Sequence, residues 1–381
     1  MSSTEKLSLL SSFNSVSFSV NPKDYHCLKQ IGSGFEDLTS IWLARYKDSS
    51  KNIVIKKTYL DISNSDKIDL MRHEVHLSRL LAHPNILPNL GAFVCGNELW
   101  TVSPFMQYGS CDTIMATGFP QGLPEAAIAH ILRDVLKALE NIHKMGYIHR
   151  AVKGSHILID ENGTVQLTGL RESHCLSPNG YNHCLAYDFP LHAVASLPWL
   201  APEVLEQNIL GYDYRSDIYS VGITAVELAL GVVPYKNMSA TQVLLAKLQE
   251  SDITLQSFSE TSLSPCVTSS GVSDSGFGDG IAVSSIEQQG QGKARNKKFS
   301  SFFCQFVNTC LQKEPDHRPS ASILLNHSFF KHAKKKVKES LPDLLLPVQP
   351  TIFDDSEIKN ITVVESVADT LDDLTIETWD F

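Results

Sequence analysis

The chain has 381 residues, with 32 Lys+Arg against 42 Asp+Glu and a formal net charge of −10. That acidic balance excludes a nucleic-acid binder working by bulk phosphate neutralisation, and 43% apolar residues exclude a wholly disordered chain. At about 150 residues per domain the length predicts two lobes.

Residues 1–23 are Ser-rich without the apolar stretch of a secretory signal, and read as a disordered N-terminus. Residues 24–105 read as strands with one helix. Cys27-Leu28-Lys29-Gln30-Ile31 leads into Gly32-Ser33-Gly34, and Ile41-Trp42-Leu43-Ala44 and Asn52-Ile53-Val54-Ile55-Lys56 follow as further strands. A longer than usual connection is expected before Ile41. Periodicity predicts a helix from Lys67 to Leu81, stopped by Pro84, and Leu99-Trp100-Thr101-Val102 reads as a strand broken at Pro104.

From Pro124 the period becomes helical. Ile128, Ile131, Leu132, Val135, Leu139 and Ile142 share one face, with Gly146 as the left-handed cap. His156 to Asp160 and Thr164 to Leu167 alternate around Glu161-Asn162-Gly163, a hairpin signal. Ile218 to Leu230 is apolar nearly all round up to Gly231, which predicts a buried central helix. Residues 251–300 shift to Ser, Gly and Gln and read as a flexible insert. A lysine-rich run, Lys331 to Lys338, reads as a solvated helix end, and an acidic tail follows to Trp379-Asp380-Phe381. The expected organisation is a small lobe over 24–105, a large lobe over 106–332 carrying the insert, and a tail over 333–381.

No apolar run approaches the roughly 18 residues of a membrane span. Eight cysteines (Cys27, Cys95, Cys111, Cys175, Cys184, Cys266, Cys304 and Cys310) lack paired spacing, so neither a disulfide framework nor a metal site is expected. The reading is an intracellular chain, cytoplasmic or nuclear, with no nucleic-acid or membrane partner.

Gly32-Ser33-Gly34 behind a strand occurs in ordinary turns as well as in phosphate cradles. Lys56 stands on a β-branched strand where a neutral side chain would pack at lower cost. On the predicted helix, Leu70, Glu74, Leu77 and Leu81 form a core-facing stripe with a carboxylate inside it. A buried carboxylate needs a cation or a proton. Lys56 is the natural partner, the alternative being a Glu74 turned out to water.

Together these features resemble the small lobe of a protein kinase, with Ile53-Val54-Ile55-Lys56 at the V-A-I-K lysine. The resemblance continues in order. Ile148-His149-Arg150 stands at the H-R-D catalytic loop, Leu200-Ala201-Pro202-Glu203 at the A-P-E box, and Asp217-Ile218-Tyr219-Ser220-Val221-Gly222 at the start of the large-lobe helix. Arg318 stands at the arginine that pairs with the A-P-E glutamate, here Glu203. The resemblance covers about residues 24–330 and implies an α+β, bilobal protein-kinase-like fold with a β-rich small lobe and an α-helical large lobe.

The departures bear on activity. The kinase loop uses Asp to take the substrate hydroxyl proton and Asn to hold a metal; Ala151 and His156 stand at those positions. Gly169-Leu170-Arg171 replaces the D-F-G motif, and Gly169 brings no carboxylate. Losing a general base alone costs about 10²–10⁴ in rate. Asp37 falls near the third glycine of the loop, where it would repel phosphate, and Ser103-Pro104-Phe105 lacks the usual acidic hinge residue. The resemblance implies nucleotide-facing roles for Ile31, Gly32, Gly34, Lys56, Glu74, Lys153 and Arg171. Lys56, Lys153 and Arg171 would then hold ATP without magnesium, with Arg171 projecting into the space of the metal. The alternative is an Arg171 paired with a local carboxylate and an empty cleft.

Within the superfamily the chain resembles the sterile-20-related adaptor (STRAD) pseudokinases. The residues are Gly34-Phe35-Glu36-Asp37-Leu38, Ser155-His156-Ile157-Leu158-Ile159, Thr168-Gly169-Leu170-Arg171, the stretch from Ser216 to Ala225, and the terminal Trp379-Asp380-Phe381. That family ends in W-E-F, and Asp380 departs from it by one methylene. The resemblance implies a catalytically inactive adaptor that holds a liver-kinase-B-type serine/threonine kinase in its active conformation. A helical-repeat scaffold of the calcium-binding-protein-39 type would capture the tail. Two aromatics flanking an acid on a solvated segment make efficient anchors, the alternative being a chance aromatic end. In the activation segment Trp199 is expected to pack internally, while Tyr181, Tyr187 and Phe189 are candidates to face a partner. The competing readings are an active STE-group serine/threonine kinase with non-standard catalytic residues, and a passive scaffold.

Overall fold

A computed structural model describes residues 18–34, 38–47, 51–60, 65–176, 185–190, 193–207, 211–249, 299–336 and 339–351. Asp37, Tyr181, nearly all of the insert and the tripeptide Trp379-Asp380-Phe381 lie outside them.

The small lobe is an antiparallel sheet of β1 (Tyr25–Gly34), β2 (Thr39–Tyr46), β3 (Asn52–Tyr59), β4 (Gly91–Cys95) and β5 (Glu98–Pro104), in the order β1-β2-β3-β5-β4. Helix α1 (Ser65–Leu80) connects β3 to β4. Period-two alternation sorts β3. Ile53 and Ile55 are buried with Tyr25, Tyr46, Phe93 and Trp100 on one face, while Val54 and Lys56 face the cleft. The two glycines behave differently from expectation. Gly32 and Gly34 lie within β1, paired with Ile41 and Thr39. Strand β2 therefore starts two residues before Ile41, at a polar pair whose Thr39 hydroxyl meets that of Thr58 at 2.8 Å in the interior.

The buried stripe of α1 is Met71, Val75 and Leu77, continued by Leu81 just past its end, with Leu70 only half-buried. Met71 and Val75 pack on Val94 and Leu99, while Leu77 and Leu81 join the core of the large lobe. One helix thus touches both halves, which fixes Glu74 at their junction.

The large lobe opens with β6 (Gly109–Ser110) and α2 (Cys111–Gly118), a helix the periodicity did not announce. Ser110 caps it by accepting from the Thr113 amide at 3.1 Å. Helix α3 (Glu125–Lys144) buries all six residues of its predicted face, and Gly146 follows its cap at φ +80°. Beyond β7 (Tyr147–Ile148), the hairpin β8 (Ile157–Ile159) and β9 (Val165–Leu167) forms as predicted, except that His156 belongs to the preceding 3-10 turn. Strand β10 (His174–Cys175) pairs with β7. Short helices α4 (Ala193–Ser196) and α5 (Pro202–Leu205) lead to α6 (Arg215–Leu230), which is buried over nearly its whole length and ends at Gly231 with φ +76°. Helices α7 (Ala240–Gln249), α8 (Ser301–Cys310), α9 (Ala321–Leu324) and α10 (Ser328–Lys336) complete the lobe, with Phe303, Phe306, Phe329 and Phe330 in mutual contact. Last comes α11 (Leu341–Leu344), whose Leu341 and Leu345 are buried in the same core. From there the chain returns to the cleft, where the Thr351 amide donates to the Gln107 carbonyl at 2.8 Å. No described helix is long and apolar enough to cross a membrane, and the six described cysteines form no disulfide.

Candidate functional site

A cleft of about 760 Å³ lies between the sheet and the helical lobe, a size suited to a nucleotide-sized ligand. Ile31, Ser33 and Gly34 of β1, Val54 and Lys56 of β3, and Ser103 to Met106 form its upper wall, and Gly32 does not line it. Ala151, Lys153, His156, Leu158, Gly169 and Arg171 lie on the opposite side. Ser196 and Thr351, which sequence reasoning did not place here, also reach it.

Lys56 and Glu74 meet as predicted, Nζ to Oε1 at 3.2 Å, so the carboxylate does not turn to water. Arg171 joins this pair. Its Nε and Nη2 both donate to Glu74 Oε2, at 3.1 and 2.8 Å, so each carboxylate oxygen has its own cation. The guanidinium thus pairs with a carboxylate 97 residues away in sequence while still lining the cleft. Burial by itself would raise the Glu74 pKa, but the charges and hydrogen bonds of Lys56 and Arg171 outweigh it and hold it at about 2.

The catalytic-loop segment is held from beneath. Asp217, at the start of α6, accepts from the His149 amide with Oδ2 and from the Arg150 amide with Oδ1, each at 2.8 Å. His143 Nε2 adds a contact to Oδ2 at 2.8 Å. Despite burial, the His143 hydrogen bond and charge keep the Asp217 pKa low. Glu227 accepts from the Gly154 amide at 3.0 Å and from Trp199 Nε1 at 2.9 Å, and burial pushes its pKa up to about 7. Trp199 therefore packs internally, as expected. Arg318 closes on Glu203 with two parallel hydrogen bonds of 2.6 and 2.9 Å, and its remaining donors reach main-chain carbonyls of Gln312, Lys313 and Arg215.

Above this framework the reactive positions are differently filled. The Ala151 amide donates to His149 Nδ1 at 3.2 Å, so the neutral imidazole carries its proton on Nε2 and donates to the Thr168 carbonyl at 3.1 Å. Burial lowers the His149 pKa to about 4. His156 donates from Nδ1 to the Ala151 carbonyl at 2.8 Å, and burial, reinforced by the Lys153 charge, lowers its pKa to about 3. Its ring lies across Gly169, which sits at φ +89°. A Cβ at position 169 would fall 2.7 Å from Cε1 and 2.8 Å from Cγ of that ring. The space of a metal-binding carboxylate is occupied by imidazole.

Magnesium requires several oxygen ligands in near-octahedral array. In a nucleotide cleft one or two of these come from side chains and the rest from phosphates and water, and Ala151, His156 and Gly169 offer no side-chain oxygen, the His156 ring lying against Gly169. The residues present do not fit that metal. Lys153 does reach the cleft, with Nζ 3.5 Å from Ser196 Oγ and 5.5 Å from the Trp199 ring centroid; burial lowers its pKa.

Comparison with known proteins agrees with this geometry. Residues 25–330 match the protein kinase domain family. STE20-related kinase adapter protein alpha of Mus musculus and that of Homo sapiens are each 44% identical over 366 residues, covering 94% of this chain and 84% of the relative. STE20-related kinase adapter protein beta of Homo sapiens is 41% identical over 336 residues, covering 86% and 80%. The chain is therefore a protein-kinase-fold protein that belongs to the STE20-related kinase adapter family.

Proposed function

We propose that this chain is a pseudokinase adaptor, which transfers no phosphate and instead binds and allosterically activates a liver-kinase-B-type serine/threonine kinase. The observation that carries the reading is the His156 ring lying against Gly169 beside Ala151. It leaves neither a proton acceptor at position 151 nor a carboxylate at 169. Fold alone would not distinguish an enzyme from an adaptor; the residues filling this site support the adaptor. The framework below supports the same reading, because Asp217, Glu227 and the Glu203–Arg318 pair hold a kinase-like surface that chemistry no longer uses.

In this proposal the Lys56–Glu74–Arg171 triad holds α1 in its inward position, and nucleotide enters without magnesium, its phosphates facing Lys56 and Lys153. Arg171 acts through Glu74. A helical-repeat scaffold of the calcium-binding-protein-39 type takes Trp379-Asp380-Phe381, giving a ternary complex that works in the cytoplasm or nucleus. Stabilising the partner's active state needs only that the adaptor bind that state more tightly than the inactive one.

Purified chain should transfer no radiolabelled γ-phosphate above the buffer blank, while its addition should raise peptide phosphorylation by a liver-kinase-B-type kinase. Transfer by the chain alone that Lys56→Met abolishes would overturn the reading. ATP should raise the melting temperature equally with and without magnesium; no rise in either case would remove nucleotide from the proposal.

A further inference from the structure

Arg150 follows His149 in the clamped loop and adopts φ +65°, a left-handed conformation uncommon for a residue other than glycine. Its side chain is only 6% exposed. A guanidinium so enclosed requires an anion. It finds one in Asp188, Nη1 to Oδ2 at 2.9 Å and Nη2 to Oδ1 at 2.6 Å, a two-pronged pair. His174 Nδ1 stands 3.4 Å from the same carboxylate. Helix α1 is tied to this point through His73 Nε2, which meets the Ser173 carbonyl at 2.8 Å.

The stretch carrying Asp188 is anchored around that pair. Ala186 and Tyr212 exchange two backbone hydrogen bonds of 2.7 and 2.9 Å. The Tyr212 hydroxyl donates to the Asp188 carbonyl at 2.8 Å, and the Arg150 guanidinium lies 5.3 Å from the Tyr212 ring centroid. On either side of Asp188, Tyr187 and Phe189 remain 65% and 39% exposed. Segments of this kind in kinases are ordered when phosphorylation supplies an anion to arginine. We propose that Asp188 is a built-in substitute for that phosphate, so that residues 185–190 are locked in place, with Tyr187 and Phe189 turned outward, by a charge the chain always carries. One carboxylate brings less charge than a phosphate, but its two oxygens match the guanidinium fork. This goes beyond the adaptor reading and stands or falls on the isolated chain.

Hydrogen exchange of the full chain at the Ala186 and Tyr212 amides reads the lock directly. Asp188→Asn should accelerate both by about tenfold or more, with core amides such as Ile223 unchanged. Millimolar inorganic phosphate should slow exchange again in Asp188→Ala, whose pocket is vacant, but not in Arg150→Ala/Asp188→Ala. Phosphatase-treated wild-type chain should keep full protection. Wild-type exchange rates in Asp188→Asn, rescue that is absent or independent of Arg150, or protection lost on phosphatase treatment would each overturn the proposal.

Discussion

The floor of the large lobe and the surface it supports respond to different constraints. Beneath the cleft, Asp217, Glu227, Glu203 and Arg318 form a satisfied polar framework. Above it stand Ala151, His156 and Gly169, which the sequence resemblance aligns with a kinase's base and metal ligands. The framework grips main-chain groups, the amides of His149, Arg150 and Gly154, and does not depend on the side chain at position 151. A catalytic loop can therefore keep its shape while its chemistry changes. An adaptor needs the shape.

The sharpest way to break this contrast is to cut the framework. Arg318→Ala or Glu203→Ala leaves one buried charge without its partner and should cost about 3–5 kcal/mol in urea unfolding. Ala151→Gly, at the cleft wall above, should cost only about 1 kcal/mol. Equal costs for the two would end the distinction.

Next in size is the triad. A carboxylate moved from 4.5 to about 2 stabilises the fold by roughly 3 kcal/mol near neutral pH. Because the folded pKa is depressed, that contribution is complete above about 4.5 and disappears as pH falls through 2. The stability gap between wild type and Glu74→Gln should shrink over that window. Glu227 has the opposite sign: its folded pKa of about 7 is raised, so its contribution is complete below 4.5 and lost as pH rises through 7. Wild type should lose ground to Glu227→Gln over that range, measured by urea unfolding at a series of pH values.

A smaller effect sharpens the comparison from above. Gly169→Asp forces a side chain into the His156 ring at φ +89° and should cost about 2 kcal/mol. Adding His156→Asn should recover at least half of it, and only that double variant should show a magnesium-dependent thermal shift with ATP. Recovery without His156→Asn would mean that the imidazole is not what closes the metal space. The smallest effect belongs to the C-terminal strap. Thr351→Pro removes the donor to the Gln107 carbonyl and should lower stability by about 1 kcal/mol, read as a small fall in melting temperature.

Much of the fold was legible because burial imposes periods on sequence. The six-residue face of α3, the glycine after it and the all-round apolar α6 are local patterns that water enforces. The start of β2 was hidden because Thr39 satisfies its hydroxyl against Thr58, a polar pair that does not look like a strand. Helix α2 is too short for a period to show, and the α1 stripe shifted from Leu70 to Met71 and Val75 because the sheet, not the helix, decides which side faces inward.

By itself the sequence determined which side chains stand at positions 151, 156 and 169, and that Glu74 needs a cation, since residue identity and the cost of an unpaired charge are properties of the chain. Tertiary structure alone decided that Arg171 shares Glu74 with Lys56, that His156 covers Gly169, and that Asp188 answers Arg150. Those pairings join residues far apart in sequence. Charge interaction and steric exclusion act over a few ångströms of space, which sequence separation does not measure.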